Sequence, residues 1–484
     1  MQISPKKRIP RKSIVYVFLC FLLFGIFAVL VSINLENQVI VAYDEARHGV
    51  NAYEMIRNDD WLIHTYQGEP DHWNLKPPFS FWVIALNFKL FGYHCVAFRL
   101  HSIIAATILL LWITLWTKKR FGETASFCVL LFLIINQTLY NANFARRGEA
   151  DAMHILFFTV SMLLLFDSQK DFRKLYGSAF CFGLSFMTKS YHAALIPVLC
   201  FGFMLCTGGI RKLTLRRCLS LLFWALLPIL PWAIARYVRE GFVFFIEMFT
   251  TDVLSRATFG EGMPAPWYFY ADTLIRNHTV VASAALGIGI VTWQSIEKRR
   301  FFLTKFQLLL LLWILVPLIL YSFSARKINH YILPITIPLS MTGGLSFAKI
   351  FQHCRFIKVK SALALLLAAG ALFQLTDLFR LVLSLDNKGS LQTTLVETLD
   401  RDLDAGKHMY VQYGTGRTVW MQNDMLRALL SGDVICIDGG IEAFLEDEEP
   451  ALIVIDKTVM NYDLMEDNPL YYEQTYYYVL ENLY

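Results

Sequence analysis

The run KKRIPRKSIVYVFLCFLLFGIFAVLVS (6–32) places a basic stretch directly before twenty residues that carry no charge. Twenty helical residues rise about 30 Å, the thickness of a bilayer's hydrocarbon core. The run is too long for the core of a signal peptide and has no small-x-small cleavage site, so it reads as an uncleaved anchor. Composition extends that reading to the whole chain. Of 484 residues, 56% are hydrophobic and 17% charged, whereas soluble domains are about a quarter charged. The sequence predicts a polytopic membrane protein.

Apolar windows recur along the first 380 or so positions, at 13–33, 98–117, 125–141, 152–168, 173–188, 192–208, 219–236, 278–295, 305–323, 329–348 and 361–381. With a cytoplasmic N-terminus, the cytoplasmic connections read TKKRFGE, DSQKDFRK, RKLTLRR, EKRRFFLTK and KIFQHCRFIKVK. All are basic, as the positive-inside rule requires. The opposite connections are mostly longer and of mixed charge: 34–97, NANFARRGEAD, TKSYH, 237–277 and SARKINH. An odd count, about eleven spans, leaves the tail on the outer side. Segment 79–94, interrupted by Asn87 and Lys89, suits a helix lying at the interface.

The sequence therefore divides at about residue 385. Residues 1–385 form an all-α membrane part with outer loops 34–97 and 237–277. Residues 386–484 form a small extracytoplasmic α/β domain, in which HMYVQYG, DVICIDG and ALIVIDK read as strands and RTVWMQNDMLRALLS and GIEAFLEDEE as helices. The net charge of +5 hides a basic membrane part and an acidic tail with roughly three acids per basic residue. The basic charge belongs to loop orientation and does not suggest nucleic acid. The nine cysteines are scattered, without CxxC or a Cys/His cluster, and read as small buried hydrophobes.

On this topology the unusual polar residues collect on the outer side. They include Asp44, Glu45, Arg47 and His48 after the first span, Lys76, and Arg146, Arg147, Glu149 and Asp151 before the fourth. Lys189, Arg256, Arg326, Lys327, His330 and Tyr331 complete the set. Ionisable groups at span ends are costly unless paired or solvated. Cations there can hold a lipid phosphate, and a nearby carboxylate can deprotonate a hydroxyl. Together they describe transfer of a sugar from a polyprenyl phosphate to an acceptor hydroxyl, with cations stabilising the departing phosphate. A single base with direct attack would invert the anomeric centre. Simpler readings exist: Asp44 and Glu45 could start an interfacial helix, Asp151 could pair with Arg147 at i,i+4, and Lys189 could snorkel from a span end.

Five blocks carry a resemblance: YDEARHGVNAYEMIRNDDW (43–61), NLKPPFSFWVIALNFKLFG (74–92), RRGEADAM (146–153), GLSFMTKSYHAALIP (183–197) and SARKINHYILPITIP (324–338). In that order, over roughly residues 14–350, the chain resembles the GT-C membrane glycosyltransferases similar to the lipid A aminoarabinose transferase and the protein O-mannosyltransferases. The resemblance implies a GT-C-like membrane fold, an outer-face active site and an inner-membrane location. It implies a polyprenyl-phosphate-linked sugar donor and a lipid, glycan or protein acceptor. Among the residues it implies Asp44 as base, with Glu45 beside it and Asp151 as a second catalytic acid. Lys76, Arg256, Lys327 and Tyr331 would meet the lipid phosphate, with Lys189 added from its place at a span end. Close relatives carry Glu immediately before the Lys-Pro-Pro block, associated with a metal; here Leu75 stands there. No metal site and no cofactor is therefore expected, although His72 or Asn74 could substitute as ligands. The His that often precedes the loop arginine is not evident near Arg256.

A transporter or flippase of a lipid-linked sugar is the main alternative. It predicts ionisable residues near mid-membrane, broken helices and an internal repeat. A non-catalytic scaffold would leave Asp44 replaceable.

Overall fold

The computed structural model describes residues 11–141, 143–255, 265–325, 327–385 and 390–482. It is mostly helical. Helix α1 (Arg11–Ser32) leads to α2 (Asp44–Arg57), a two-stranded hairpin of β1 (Thr65–Tyr66) and β2 (Glu69–Pro70), and α3 (Phe79–Phe91). Then follow α4 (Cys95–Phe121), α5 (Glu123–Ile134), α6 (Asp151–Asp167), α7 (Arg173–Lys189), α8 (Leu195–Cys206), α9 (Leu215–Leu226) and α10 (Ile229–Glu240). The membrane part closes with α11 (His278–Lys298), α12 (Lys305–Phe323), α13 (Leu333–His353) and α14 (Ile357–Ser384).

Among the described residues seven stretches are long and apolar enough to cross a bilayer, and α9 with α10, bent by 59°, makes an eighth. One of the seven, Arg173–Cys206, is in fact a hairpin. Ser190 adopts φ +47 after α7, and Ser178 Oγ of α7 lies 3.7 Å from Cys200 Sγ of α8. The segment at 125–141 is shorter than its apolar run suggests. Its helix stops at Ile134, and Asn136 turns away to donate to Ser340 Oγ at 2.9 Å.

Side-chain contacts sort the helix ends into two groups. At one end Arg120 pairs with Asp167, Trp116 packs at a tilt on Phe306 with ring centroids 5.2 Å apart, and Lys212 reaches Gln169. These are the basic connections. At the other end Asn277 bonds Asn136, Asn143 bonds His330, and Arg236 reaches Leu62. Close helix packing needs small residues: a Cβ on Gly344 of α13 would meet the Val129 backbone of α5 at 2.5 Å. Many remaining outward faces are bare apolar surface, including Phe21 and Phe323 at 74% and 86% exposure. In water this would be a defect; against lipid it is the expected surface.

The tail forms a five-stranded mixed sheet, ordered β4-β3-β5-β7-β6. Strand β3 (His408–Gln412) runs parallel to β4 (Ile435–Cys436) and β5 (Ala451–Asp456), while β7 (Tyr477–Glu481) pairs antiparallel with β5 and β6 (Leu470–Glu473). The central strand β5 is buried over Ala451–Ile455. Helix α15 (Gln422–Gly432) lies between this sheet and α2, so Val50, Tyr53, Phe81, Leu426 and Val454 share one core. The tail is thus seated on the first loop.

Candidate functional site

Asp44 opens α2, directly after Tyr43, whose φ of +70 is costly for a residue with a Cβ. Its carboxylate accepts from Lys76 Nζ at 2.9 Å, and Lys76 also donates to Asn74 Oδ1 at 3.0 Å. The loop that delivers Lys76 is fixed from behind. Asp71 takes both arms of Arg47, at 2.7 and 2.9 Å, and accepts from the backbone N–H of Trp73 and Asn74. Lys76 holds the half-buried Asp44 well below the usual carboxylate range, against the opposing effect of burial. Asp44 is therefore held in its ionised form. His48 packs beneath it with Nδ1 2.9 Å from the Asp44 carbonyl. Burial, with Lys76 near, keeps this imidazole neutral well below its ordinary range.

Glu45 points the other way and is fully buried. One oxygen takes Arg99 Nε at 2.8 Å and the Gly148 N–H at 2.9 Å; the other takes Arg147 at 3.0 Å and the Val41 N–H at 2.9 Å. Arg99 spends its remaining donors on the carbonyls of Leu35, Gln38 and Val39. Burial pushes the Glu45 carboxyl up, but the two guanidiniums outweigh it and bring it down to about 2. A carboxylate with every lone pair engaged and no path to solvent cannot receive a substrate's proton. The contacts of Glu45 are structural: the residue ties the 35–41 segment to α4 and to the loop before α6.

Asp151 begins α6 and is buried in a close ion pair with Lys189, the last residue of α7. Between this pair and Asp44 lies Glu149, which accepts from Asn143 Nδ2 at 2.8 Å; the same amide contacts His330 at 3.0 Å. Burial, then the negative charges of Asp44 and Asp151, push the Glu149 carboxyl well above its ordinary range. His330 lies within electrostatic reach of Lys189, Asp151, Asp44 and Lys76. One end of the bundle thus holds two lysine–carboxylate pairs, with the buried Glu149 within electrostatic reach of both.

The expected phosphate-binding residues Lys327 and Tyr331 have partners of their own. Lys327 donates to Ser324 O at 2.9 Å in its own turn. Tyr331 is buried against His192 and Tyr321, with ring centroids at 5.3 and 5.6 Å. Arg256 and Arg326 lie outside the described residues. His72 contacts Glu247, Asn74 holds Lys76 and Asn51, and Leu75 packs with Met187 and Trp232. Among the described residues no three His, Cys, Asp or Glu gather as metal ligands. Sequence reasoning gave no role to Glu149, Asn143 or His330. Their signal was present only as polar letters beside spans.

The Asp151–Lys189 pair makes a quantitative prediction. Removing one partner of a buried pair costs roughly 3–5 kcal/mol, whereas removing both is far milder. Lys189→Met should therefore lower thermal stability sharply, and adding Asp151→Asn should restore most of it. A double-mutant cycle of melting temperatures checks this; additive losses would show that the pair contributes nothing.

Comparison with known proteins follows the same outline. The family described as dolichyl-phosphate-mannose-protein mannosyltransferase matches residues 75–234. An undecaprenyl phosphate-alpha-4-amino-4-deoxy-L-arabinose arabinosyl transferase of Pseudomonas aeruginosa is 27% identical over 331 residues, 67% of this chain and 59% of that protein. A counterpart from Pseudomonas fluorescens is 26% identical over 69% of this chain and 58% of its own. The chain's match thus spans under two thirds of these relatives' length. Among solved structures, ArnT from Cupriavidus metallidurans bound to undecaprenyl phosphate superposes with a TM-score of 0.72 at 15% identity, covering 98% of both chains. The oligosaccharyltransferase AglB from Archaeoglobus fulgidus, in complex with an inhibitory peptide and a dolichol phosphate, gives 0.56 at 11% identity, covering 93% of this chain and 70% of its own.

Proposed function

We propose, from the premise that this chain is related in sequence to the GT-C polyprenyl-phosphate-sugar transferases and shares their fold, that it moves a sugar from a polyprenyl-phosphate donor to an acceptor hydroxyl, inverting the anomeric centre. The observation that carries the reading is the Asp44–Lys76 pair at the bundle end opposite the basic connections. Contacts at the helix ends support eleven crossings: α1, α4 to α8, the bent α9–α10 pair, and α11 to α14. The basic connections then face the cytoplasm, and the site and the α/β tail lie outside an inner membrane.

Lys76 is shared in this scheme. In the resting site it neutralises Asp44; when the donor arrives, its ammonium turns to the phosphate, with Lys327, Tyr331 and Arg256 completing the phosphate's surroundings. Losing Lys76 raises the basicity of Asp44 just as an acceptor hydroxyl is in place. The acceptor oxygen then bonds to the sugar's anomeric carbon, the bond from that carbon to the phosphate oxygen breaks, and the hydroxyl proton passes to Asp44. Polyprenyl phosphate leaves with its new charge balanced by the cations. Asp151 and Lys189, anchored to each other, form the far wall, with Glu149 held near them by Asn143.

We extend the proposal to metal independence. Asp44 and Asp151 each already hold a lysine, and Leu75 offers no ligand. Transfer by the purified protein should persist in excess EDTA, unaltered by added Mg²⁺ or Mn²⁺. Loss of more than about tenfold with EDTA, restored by either ion, would overturn this part.

The function itself is tested by mass spectrometry of envelope lipids and glycans from cells lacking the protein. One sugar mass should vanish and return with the wild-type gene. Loss of a flippase would instead leave the donor stranded on the cytoplasmic side and affect every product made from it.

A further inference from the structure

The end of the bundle away from the site holds a cavity of about 860 Å³. Helices α11 and α12 both pack on α13 but scarcely on each other, and the cavity opens between them. Its wall is apolar along Ala284, Ile288 and Val291 of α11 and Leu311 and Ile314 of α12. From Ala284 to Gln294 the groove follows α11 for ten residues, about 15 Å at the helical rise. That is half of a hydrocarbon core about 30 Å thick, the depth of one leaflet.

Two features give this groove a polar mouth. Gln294 is 7% exposed; its carbonyl accepts from Gln307 Nε2 at 2.9 Å, while its own amide nitrogen makes no hydrogen bond among the described residues. The Gln307 oxygen is already taken by the backbone and hydroxyl of Thr304, at 2.9 Å each, which fixes the relay so that the Gln294 donor faces the cavity. One turn further out the rim is cationic. Lys349 lies over the Trp293 ring at 5.9 Å, and His353 meets the same ring edge-on at 5.0 Å. Phe301, Leu303 and Thr304 line the other side of the mouth, and in the sequence they stand among Lys298, Arg299, Arg300 and Lys305, with Glu297 the one acid between Trp293 and Lys305.

We propose that this groove is a binding site for one anionic glycerophospholipid of the cytoplasmic leaflet. Its acyl chain fills the apolar wall, an ester or phosphate oxygen accepts from Gln294, and its headgroup charge meets Lys349 and the basic rim. The proposal uses the orientation given above but not the transferase chemistry. Apolar length, buried donor and surface cation follow one another in the order in which such a lipid presents chain, ester and phosphate.

The test is native mass spectrometry of the full-length protein released from mild detergent, followed by reconstitution in nanodiscs of phosphatidylcholine with or without phosphatidylglycerol. Wild-type protein should retain one phosphatidylglycerol and melt higher when it is present. Lys349→Glu should reduce retention about tenfold, whereas Lys358→Glu, an equal charge change on α14 outside the groove, should not. Gln294→Leu, nearly isosteric, should weaken retention without disturbing the fold and is read the same way if Lys349→Glu fails to fold. No retained lipid in the wild type, equal losses in Lys349→Glu and Lys358→Glu, or retention of neutral lipid or polyprenyl phosphate instead would each overturn the proposal. Sugar transfer is a separate readout, so failure here leaves the transferase reading intact.

Discussion

Asp44→Asn should reduce sugar transfer by about 10²- to 10⁴-fold while leaving the protein folded. The amide fits the same space and can still accept from Lys76, so the loop at 71–76 keeps its anchor. What it loses is the ability to take a proton, and a positioned general base is worth roughly 10²–10⁴ in rate. Donor affinity should fall little or even rise, because Lys76 no longer has a competing carboxylate. Transfer rate and binding of polyprenyl phosphate, measured on the same preparation, check both halves. If binding collapses together with turnover, Asp44 is a positioning residue and the base lies elsewhere.

Glu45→Gln should do the reverse. It would leave Arg99, fully buried, facing a neutral amide, and would strip Arg147 of its ion pair. Breaking a buried charge pair costs on the order of 3–5 kcal/mol, a large share of a stability of roughly 5–15 kcal/mol. We expect a strong fall in melting temperature and in yield from the membrane. Whatever folds should transfer sugar, since Glu45 touches no reacting group. The same carboxylate gives a pH dependence. Its folded pKa of about 2 lies below the unfolded value of 4.5, so its contribution is complete above about pH 5 and is lost as pH falls toward 2. Thermal unfolding between pH 7 and 3 should show a loss in the wild type that Glu45→Gln lacks.

The contrast between these neighbours marks the limit of the sequence. Asp44 and Glu45 look alike in YDEARH, and nothing local separates them. Their roles are set by residues far along the chain: Lys76, 32 positions on, for one, and Arg99 and Arg147, 54 and 102 positions on, for the other. Period and charge, in contrast, are local properties. They placed α1, α4, α12 and α14 within a few residues of their ends, and the tail strands at HMYVQ, IC and ALIVID. The lysine of TKSYH was legible as a cation at a span end, but its burial against Asp151 depends on how α6 and α7 pack. Glu149 was one polar letter among several, and its burial, with Asp44 and Asp151 near, is what raises its carboxyl. The docking of α15 on α2 was likewise invisible, because Leu426 and Val50 are ordinary core residues until the chain brings them together.

The most direct test of the account follows the donor. Purified wild-type and Asp44→Asn proteins are incubated in nanodiscs with a polyprenyl-phosphate-linked sugar and envelope acceptor lipids, and free polyprenyl phosphate is counted by mass spectrometry. The account predicts steady release by the wild type, only while acceptor is present, and intact but bound donor with Asp44→Asn. Release by the variant at the wild-type rate would contradict it.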